Sequence, residues 1–299
     1  MQSQYTYSIV IPHYNSPDTL KRMLESIPER DDIQVIVVDD GSSAENKKTL
    51  SLLSHRNLEI YYNETNMGGG FSRNAGFSHV KGKWFIGCDA DDFFSDDAFD
   101  VLDKYKDCEI DYLCYCIKVL NDKTLEPLGL IVRSDASVRR YLAKADKKGV
   151  NLFKYRNYEP WNKMIRADFI RKNSIHWENC RINIDVMFSL QLGLCGKKYM
   201  AIPDELYNLV FSENSITRKK KNIEREFGFY LQVVKRNAIY RALKLGWPFY
   251  RPEWLYLPFL LNKRGVVDTI QFYRYKHNHA EMVHEARTAY LPLLQDVLR

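Results

Sequence analysis

No apolar run in this 299-residue chain approaches the roughly 20 residues needed to cross a bilayer. The opening residues Met1-Gln2-Ser3-Gln4-Tyr5 also lack the basic-then-apolar pattern of a secretory leader, so a cytoplasmic chain is expected. Cysteine is sparse: Cys88, Cys108, Cys114, Cys116, Cys180 and Cys195 match no zinc-ligand spacing and are expected to be reduced and mostly buried. No glycine-rich loop ends in Gly-Lys-Ser/Thr, which excludes a Walker A site. No Gly-x-Gly-x-x-Gly follows the first predicted strand, which excludes the dinucleotide fingerprint. The Lys and Arg are dispersed and join no recognised nucleic-acid motif, so nucleic acid is not an expected partner.

What is present is a soluble globular composition, 45% hydrophobic and 27% charged, with an uneven distribution of charge. Residues 1–130 carry 13 Lys and Arg against 22 Asp and Glu, whereas residues 131–299 carry 31 against 16. An acidic half suits a bound cation, and a basic half suits an anionic partner such as a phosphorylated acceptor or the cytoplasmic face of a membrane.

The acids are concentrated where strands end. Lys83-Trp84-Phe85-Ile86-Gly87-Cys88 is an apolar run that stops in Asp89-Ala90-Asp91-Asp92, and carboxylates this close repel one another unless a hard cation such as Mg²⁺ or Mn²⁺ sits among them. A second buried strand, Ile33 to Val38, stops in Asp39-Asp40-Gly41-Ser42. Two strands therefore deliver acids to one sheet edge, where open α/β sheets bind ligands. Tyr7 to Pro12 reads as the first strand. Ser16-Pro17 then opens a helix with apolar residues at Leu20, Met23, Leu24 and Ile27. A helix over 44–53 and a strand over 58–62 follow. The loop Asn66-Met67-Gly68-Gly69-Gly70-Phe71-Ser72-Arg73 then leads into a helix, with backbone N–H groups and an arginine suited to phosphate.

The ordered motifs Ile9-Val10-Ile11-Pro12-x-Tyr14-Asn15, Val37-Val38-Asp39-Asp40-Gly41-Ser42, Asn66-x-Gly68-Gly69-x-x-Ser72-Arg73-Asn74-x-Gly76 and Asp89-x-Asp91-Asp92 resemble family 2 glycosyltransferases of the GT-A fold. The resemblance implies an α/β architecture, a Rossmann-like mixed sheet flanked by helices. It implies a catalytic domain over 1–220, with a donor half (1–125) and an acceptor half (126–220), and a helical extension over 221–299. The implied activity is inverting, metal-dependent transfer of a sugar, a hexose or N-acetylhexosamine, from a nucleotide diphosphate sugar. The donor is expected to be UDP-linked, and the acceptor a hydroxyl of a glycan or lipid-linked molecule in bacterial surface polysaccharide synthesis. Asp39 is implied to contact the base, Arg73 to help hold the nucleotide, and Asp89 and Asp91 to bind ribose and metal, with Asp92 in support. Pro12, Tyr14, Asp40, Gly69 and Ala90 fall in the implied donor site, Asp91 is the implied Mn²⁺ or Mg²⁺ ligand, and His13 departs from the small or hydroxyl residue usual there.

The second half is less legible. Residues 96–105 are predicted helical, 112–120 a strand, and 137–147 a basic surface helix. Trp161 and Lys163, in Pro160-Trp161-Asn162-Lys163-Met164-Ile165-Arg166, resemble a pattern after the donor half of bacterial members, and Phe169-Ile170 should pack inward. Val186, Leu190 and Leu194 recur at helical spacing and place Asp185 in a first helical turn, whose dipole favours a carboxylate. The family places its general base on the aspartate of a Glu-Asp pair. This chain has Ile184 in place of the glutamate, which leaves Glu178 as another candidate base. A strand over 205–211 precedes a loop with Arg218-Lys219-Lys220-Lys221, whose cations either clamp the leaving group or are solvated. The stripe Phe227, Leu231, Val234, Ala238, Ala242 and Leu245 predicts a helix. Aromatics, prolines and cations from Trp247 to Arg264 suit core packing, a homodimer through the C-terminal helices, or an anionic membrane surface. His277, His279 and His284 are expected to be exposed. A sugar-phosphate nucleotidyltransferase would carry its glycine-rich loop after the first strand, where this chain has Pro12-His13-Tyr14-Asn15. A non-catalytic nucleotide-sugar-binding or glycan-binding protein would keep the pocket without needing Asp185.

Overall fold

A computed structural model describes residues 5–180, 184–212, 222–246, 249 and 256–298, with backbone only at 256–266 and 298. The elements in chain order are β1 (Tyr5–His13), α1 (Pro17–Glu25), β2 (Ile33–Asp39), α2 (Ala44–Leu50), β3 (Leu58–Tyr62), α3 (Gly69–Ser78), β4 (Gly82–Gly87), β5 (Phe93–Phe94), α4 (Ala98–Asp103) and β6 (Tyr112–Asn121). They continue with α5 (Arg133–Ala143), α6 (Lys147–Arg156), β7 (Lys163–Arg166), α7 (Ala167–Lys172), α8 (Ile184–Cys195), β8 (Tyr199–Phe211), α9 (Ile223–Ala242), α10 (Tyr256–Asn278), α11 (Ala280–Thr288) and α12 (Leu291–Leu298).

The strands form one mixed sheet in the order β3-β2-β1-β4-β7-β6-β8-β5. Its parallel strands are joined through β7, antiparallel to both β4 and β6, while β5 closes antiparallel on β8. Alternate residues supply opposite faces, as the pleat requires. Ile9, Ile11, Val35, Val37, Trp84 and Ile86 pack on one side, and Val10, Ile36, Val38 and Phe85 on the other. Both faces are covered, which explains the nearly unbroken apolar runs of β1 and β2. The C-terminal ends of β1, β2, β4, β6 and β8 share one edge.

Three elements differ from expectation. The basic helix over 137–147 is two helices, because Asp146 caps a new one by accepting from the Gly149 N–H at 2.8 Å. Nor is α5 merely solvated. Ser134, Asp135, Ser137 and Val138 are buried, and Asp135 accepts from the Ile117 backbone at 3.2 Å while pairing with Arg139. The last long strand begins at Tyr199, not Glu205. Its register against β6 shifts around Cys116, where Pro203 has no N–H to offer the ladder, and that irregularity hid the first half of the strand.

Of the helices after the sheet, α9 and α12 pack on α8, and α10 and α11 pack on α9. Ile239, Tyr240, Phe249 and Leu294 share a buried cluster with Met187, Leu190 and Leu194, so core packing accounts for at least Phe249 of the aromatic stretch. The rest of 247–255 lies outside the described residues. None of the six cysteines is in a disulfide, and Cys88, Cys114 and Cys116 are buried. Among the described residues no helix is long and apolar enough to cross a membrane.

Candidate active site

Both strand-end acids of β2 are buried, each for its own reason. Asp39 Oδ1 faces His13 Nδ1 at 2.9 Å, and His13 Nε2 accepts from the Ser16 N–H at 3.2 Å. The ring therefore carries its proton on Nδ1 and donates to Asp39. Ser42 supplies two further donors, its hydroxyl to Oδ1 and its N–H to Oδ2 at 3.1 Å. Asp40 turns its carboxylate onto the following loop, accepting from Asn63 Nδ2 (2.9 Å), the Met67 N–H (2.9 Å) and the Gly68 N–H (2.7 Å). Gly41 makes this fit: its φ is +74°, and a Cβ would stand 2.6 Å from the Thr65 carbonyl carbon. Pro12 lies within β1 beside Val38. Tyr14 is exposed just past β1, and Asn15 ties that loop to the next by bonds to Ser42 and Ser43 at 2.8 and 2.9 Å.

The glycine-rich loop enters α3, and neighbours close in on two of its glycines. A Cβ on Gly70 would lie 2.7 Å from the Glu178 carbonyl oxygen, and one on Gly69 would press on Arg73 and Ile184 at 3.1 and 3.2 Å. Ile184, where the resemblance expects a glutamate, thus fills space against this loop. Arg73 is buried, with Nη2 on Asp89 and Nη1 3.7 Å from Asp185 Oδ1. One guanidinium therefore bridges an acid of the donor half and the expected base.

Beyond β4 the chain turns through the acid cluster. One carboxylate oxygen each from Asp89, Asp91 and Asp92 lie within 4.8 Å of one another. Asp92 is buried, its Oδ1 accepting from the Val210 N–H at 2.7 Å, which fastens the turn to β8; its Oδ2 is buried without a hydrogen-bond partner. The Asp89 N–H donates to Tyr207 Oη at 3.0 Å, and Trp161 stacks on the Tyr207 ring at 5.5 Å. Arg22 donates to the Asp91 carbonyl, and the Ala90 side chain belongs to the core beneath. Lost hydration first, then the charge of Asp89, lifts the Asp91 carboxyl to about 6, although part of its surface meets solvent. Burial, followed by Asp91 and Asp89, pushes Asp92 well above the usual aspartate range. A buried oxygen lacking a donor, in a cluster of three carboxylates where Asp91 and Asp92 are both pushed up, fits a hard divalent cation.

Asp185 lies in the first turn of α8 with 27% of its side chain exposed. Its Oδ1 accepts from Trp177 Nε1 at 3.0 Å. Burial raises its carboxyl above the usual value; Arg73 opposes the rise and Asp89 adds to it. Trp177 is fixed on three sides. Its ring stacks on Phe188 at 3.5 Å, and its backbone N–H and carbonyl both bond the Asn74 amide, at 2.9 and 2.7 Å. Sequence reasoning missed both residues. Asn74 stood inside a quoted motif with no role attached, and Trp177 has no local signal because its partner is 103 residues away.

Other expected residues stand elsewhere. The Lys163 ammonium is buried, and Asn157, Asn162 and the Glu159 carbonyl take its three protons. Glu178, the alternative base, is engaged elsewhere: Gln232, Lys235 and Tyr290 all donate to its carboxylate and turn it toward the helices after the sheet. Arg218 and its neighbouring lysines lie outside the described residues. His277 and His284 are exposed, whereas His279 is half-buried, bonded to the Tyr275 carbonyl at 2.8 Å and stacked on the Tyr275 ring.

Comparison with known proteins agrees with this geometry. Residues 8–127 match the family model described as Glycosyl transferase family 2. The chain is 24% identical over 214 residues to a cholesterol galactosyltransferase of Borreliella burgdorferi, covering 68% of this chain and 60% of that protein. It is also 24% identical over 215 residues to the poly(ribitol-phosphate) beta-N-acetylglucosaminyltransferase TarS of Staphylococcus aureus, covering 67% of this chain and 35% of TarS. It therefore spans less than two thirds of either relative. A crystal structure of TarS residues 1–349 with UDP-GlcNAc superposes with a TM-score of 0.67 at 17% identity, over 98% of this chain and 87% of that one. Residues 8–127 thus carry the signature of glycosyltransferase family 2, on the part of the sheet that bears the acid cluster, and the chain has the GT-A fold of the TarS structure.

Proposed function

We propose that the protein transfers a sugar, with inversion, from a UDP-linked donor to a hydroxyl of a glycan or lipid-linked acceptor. The observation that carries this reading is the shared Arg73: it pairs with Asp89 of the donor cluster and stands 3.7 Å from Asp185. A carboxylate with a raised pKa is thereby held beside the place where a diphosphate would lie.

In this reading Asp185 takes the proton of the attacking acceptor hydroxyl, and Trp177 Nε1 fixes the orientation of that carboxylate. Asp89, Asp91 and Asp92 would hold Mn²⁺ or Mg²⁺ through Asp91, and such a cation supplies charge neutralisation as the UDP leaves. The His13-oriented Asp39 and the loop locked by Asp40 form the floor on which the nucleotide rests. TarS, crystallised with UDP-GlcNAc and with UDP, supports a UDP donor. The basic balance of residues 131–299 and relatives named for poly(ribitol phosphate) and minor teichoic acid support an anionic surface polymer or lipid-borne acceptor, met at the cytoplasmic face of the membrane.

The test is a panel of nucleotide sugars with Mn²⁺, with Mg²⁺ and with EDTA, read as UDP release. One UDP-sugar should give metal-dependent release that EDTA abolishes. Release of equal rate in EDTA would remove the cation from the reading, and release from no UDP-sugar would remove the donor.

A further inference from the structure

Trp177, which holds the expected base, is followed by Glu178, whose carboxylate enters the helices after the sheet. Its Oε1 accepts from Lys235 Nζ and Tyr290 Oη, each at 2.8 Å, and its Oε2 accepts from Gln232 Nε2 at 2.6 Å. Gln232 and Lys235 lie on α9, and Tyr290 joins α11 to α12. The Glu178 carbonyl oxygen rests against Gly70, so the residue is held from both sides. Burial works to raise this carboxyl, and the donors Gln232 and Lys235 overcome it, so that it stays ionised. Of the three donors, two sit on one helix and the third lies 112 residues downstream of Glu178.

We propose that Glu178 is a positioning residue, through which α9 and the α11–α12 junction set the placement of the Trp177 indole N–H on Asp185. The inference rests on Asp185 being the base. The two residues are adjacent in the chain, so the link is short: a shift at Glu178 moves Trp177 directly. Asn74 holds the Trp177 backbone at its donor-half end, and Glu178 holds the segment at its other end. Turnover therefore depends on helices that contribute no catalytic group, and a misplacement of about 1 Å at the base is enough to cost up to roughly a hundredfold in rate.

The experiment uses the full chain. In ¹⁵N-labelled protein the Trp177 indole signal, assigned by its loss in Trp177→Phe, should shift and exchange faster in Glu178→Ala and in the milder Tyr290→Phe. The signals of Trp84 and Trp161 should stay. An unchanged Trp177 signal, or equal movement of all three, would overturn the proposal. With UDP-GlcNAc as probe, kcat for UDP release should fall about ten- to a hundredfold in Glu178→Ala while UDP affinity holds within about twofold, and Glu178→Gln should recover part of the rate. Glu178→Ala should cost nothing further in a Trp177→Phe background; additive losses would refute the link. Full turnover by Asp185→Asn would remove the base reading instead, and the indole signal would still report on the link itself.

Discussion

Asp185→Asn separates chemistry from stability. The amide keeps an oxygen for the Trp177 N–H, so the 3.0 Å bond and the ring geometry should survive. The mutation removes the proton acceptor, and transfer should fall by roughly 10² to 10⁴, the range typical of a general acid–base group. The stability effect should be small or favourable. The pair with Arg73 is long, at 3.7 Å, so losing it gives up less than a close, hydrogen-bonded ion pair would. Arg73 also keeps Asp89. Against that loss stands the raised folded pKa of Asp185. A carboxyl whose folded pKa lies above its unfolded value binds more protons when folded, so its ionisation removes stability as pH rises through that interval. Asparagine abolishes this loss. Thermal unfolding at neutral pH should therefore give a Tm equal to or above that of the parent, calorimetry should give an unchanged UDP affinity, and UDP release should be nearly abolished. Full transfer would remove Asp185 from the mechanism, and loss of UDP affinity would show that the carboxylate serves the donor.

The Asp91 carboxyl, at about 6, should make Mn²⁺ binding pH-dependent: a protonated ligand binds poorly, so affinity measured by calorimetry should fall below that pH, level off above it, and vanish in Asp91→Ala. Asp40→Ala would strip acceptors from Asn63 and from the Met67 and Gly68 N–H groups, costing about 1–3 kcal/mol for each group left unsatisfied. A denaturant midpoint equal to the parent's would show that water replaces the carboxylate. Gly76→Ala would place a Cβ 2.4 Å from Val10 Cγ1, and the overpacking should cost about 1–3 kcal/mol in chemical denaturation; no loss would mean that Val10 rotates away.

The donor half was legible because its information is local. Periodicity marked β1, β2 and β4, and acids at two strand ends marked the edge. The second half depends on pairings invisible to a window of sequence. Tyr199 to Ile202 read as nothing until β6 lay beside them, and Trp177 gains meaning only from Asn74 and Asp185. The glycine-rich loop shows the opposite error of emphasis. Its composition was read as an adaptation to phosphate, yet a side chain at Gly70 would collide with the Glu178 carbonyl and one at Gly69 would crowd Arg73 and Ile184. Sequence also could not show that Glu178 was engaged, because its donors lie 54, 57 and 112 residues away.

Arg73 and Asn74 are consecutive residues of α3, and both bond across to the second half of the chain, to Asp185 and Trp177. This limits how the protein can be recombined. A hybrid taking its first 125 residues from one relative and the remainder from another would bring together an arginine–asparagine pair and a tryptophan–aspartate pair with no shared history of fitting. Both core clusters mix side chains of the two halves, and β4 and β6 pair with β7 and β8 of the second, so such hybrids should lose stability as well as turnover until the contacts and the two pairs are matched again. Exchanging acceptor preference by loop grafts that leave residues 73, 74, 177 and 185 in place should succeed where whole-half exchange fails.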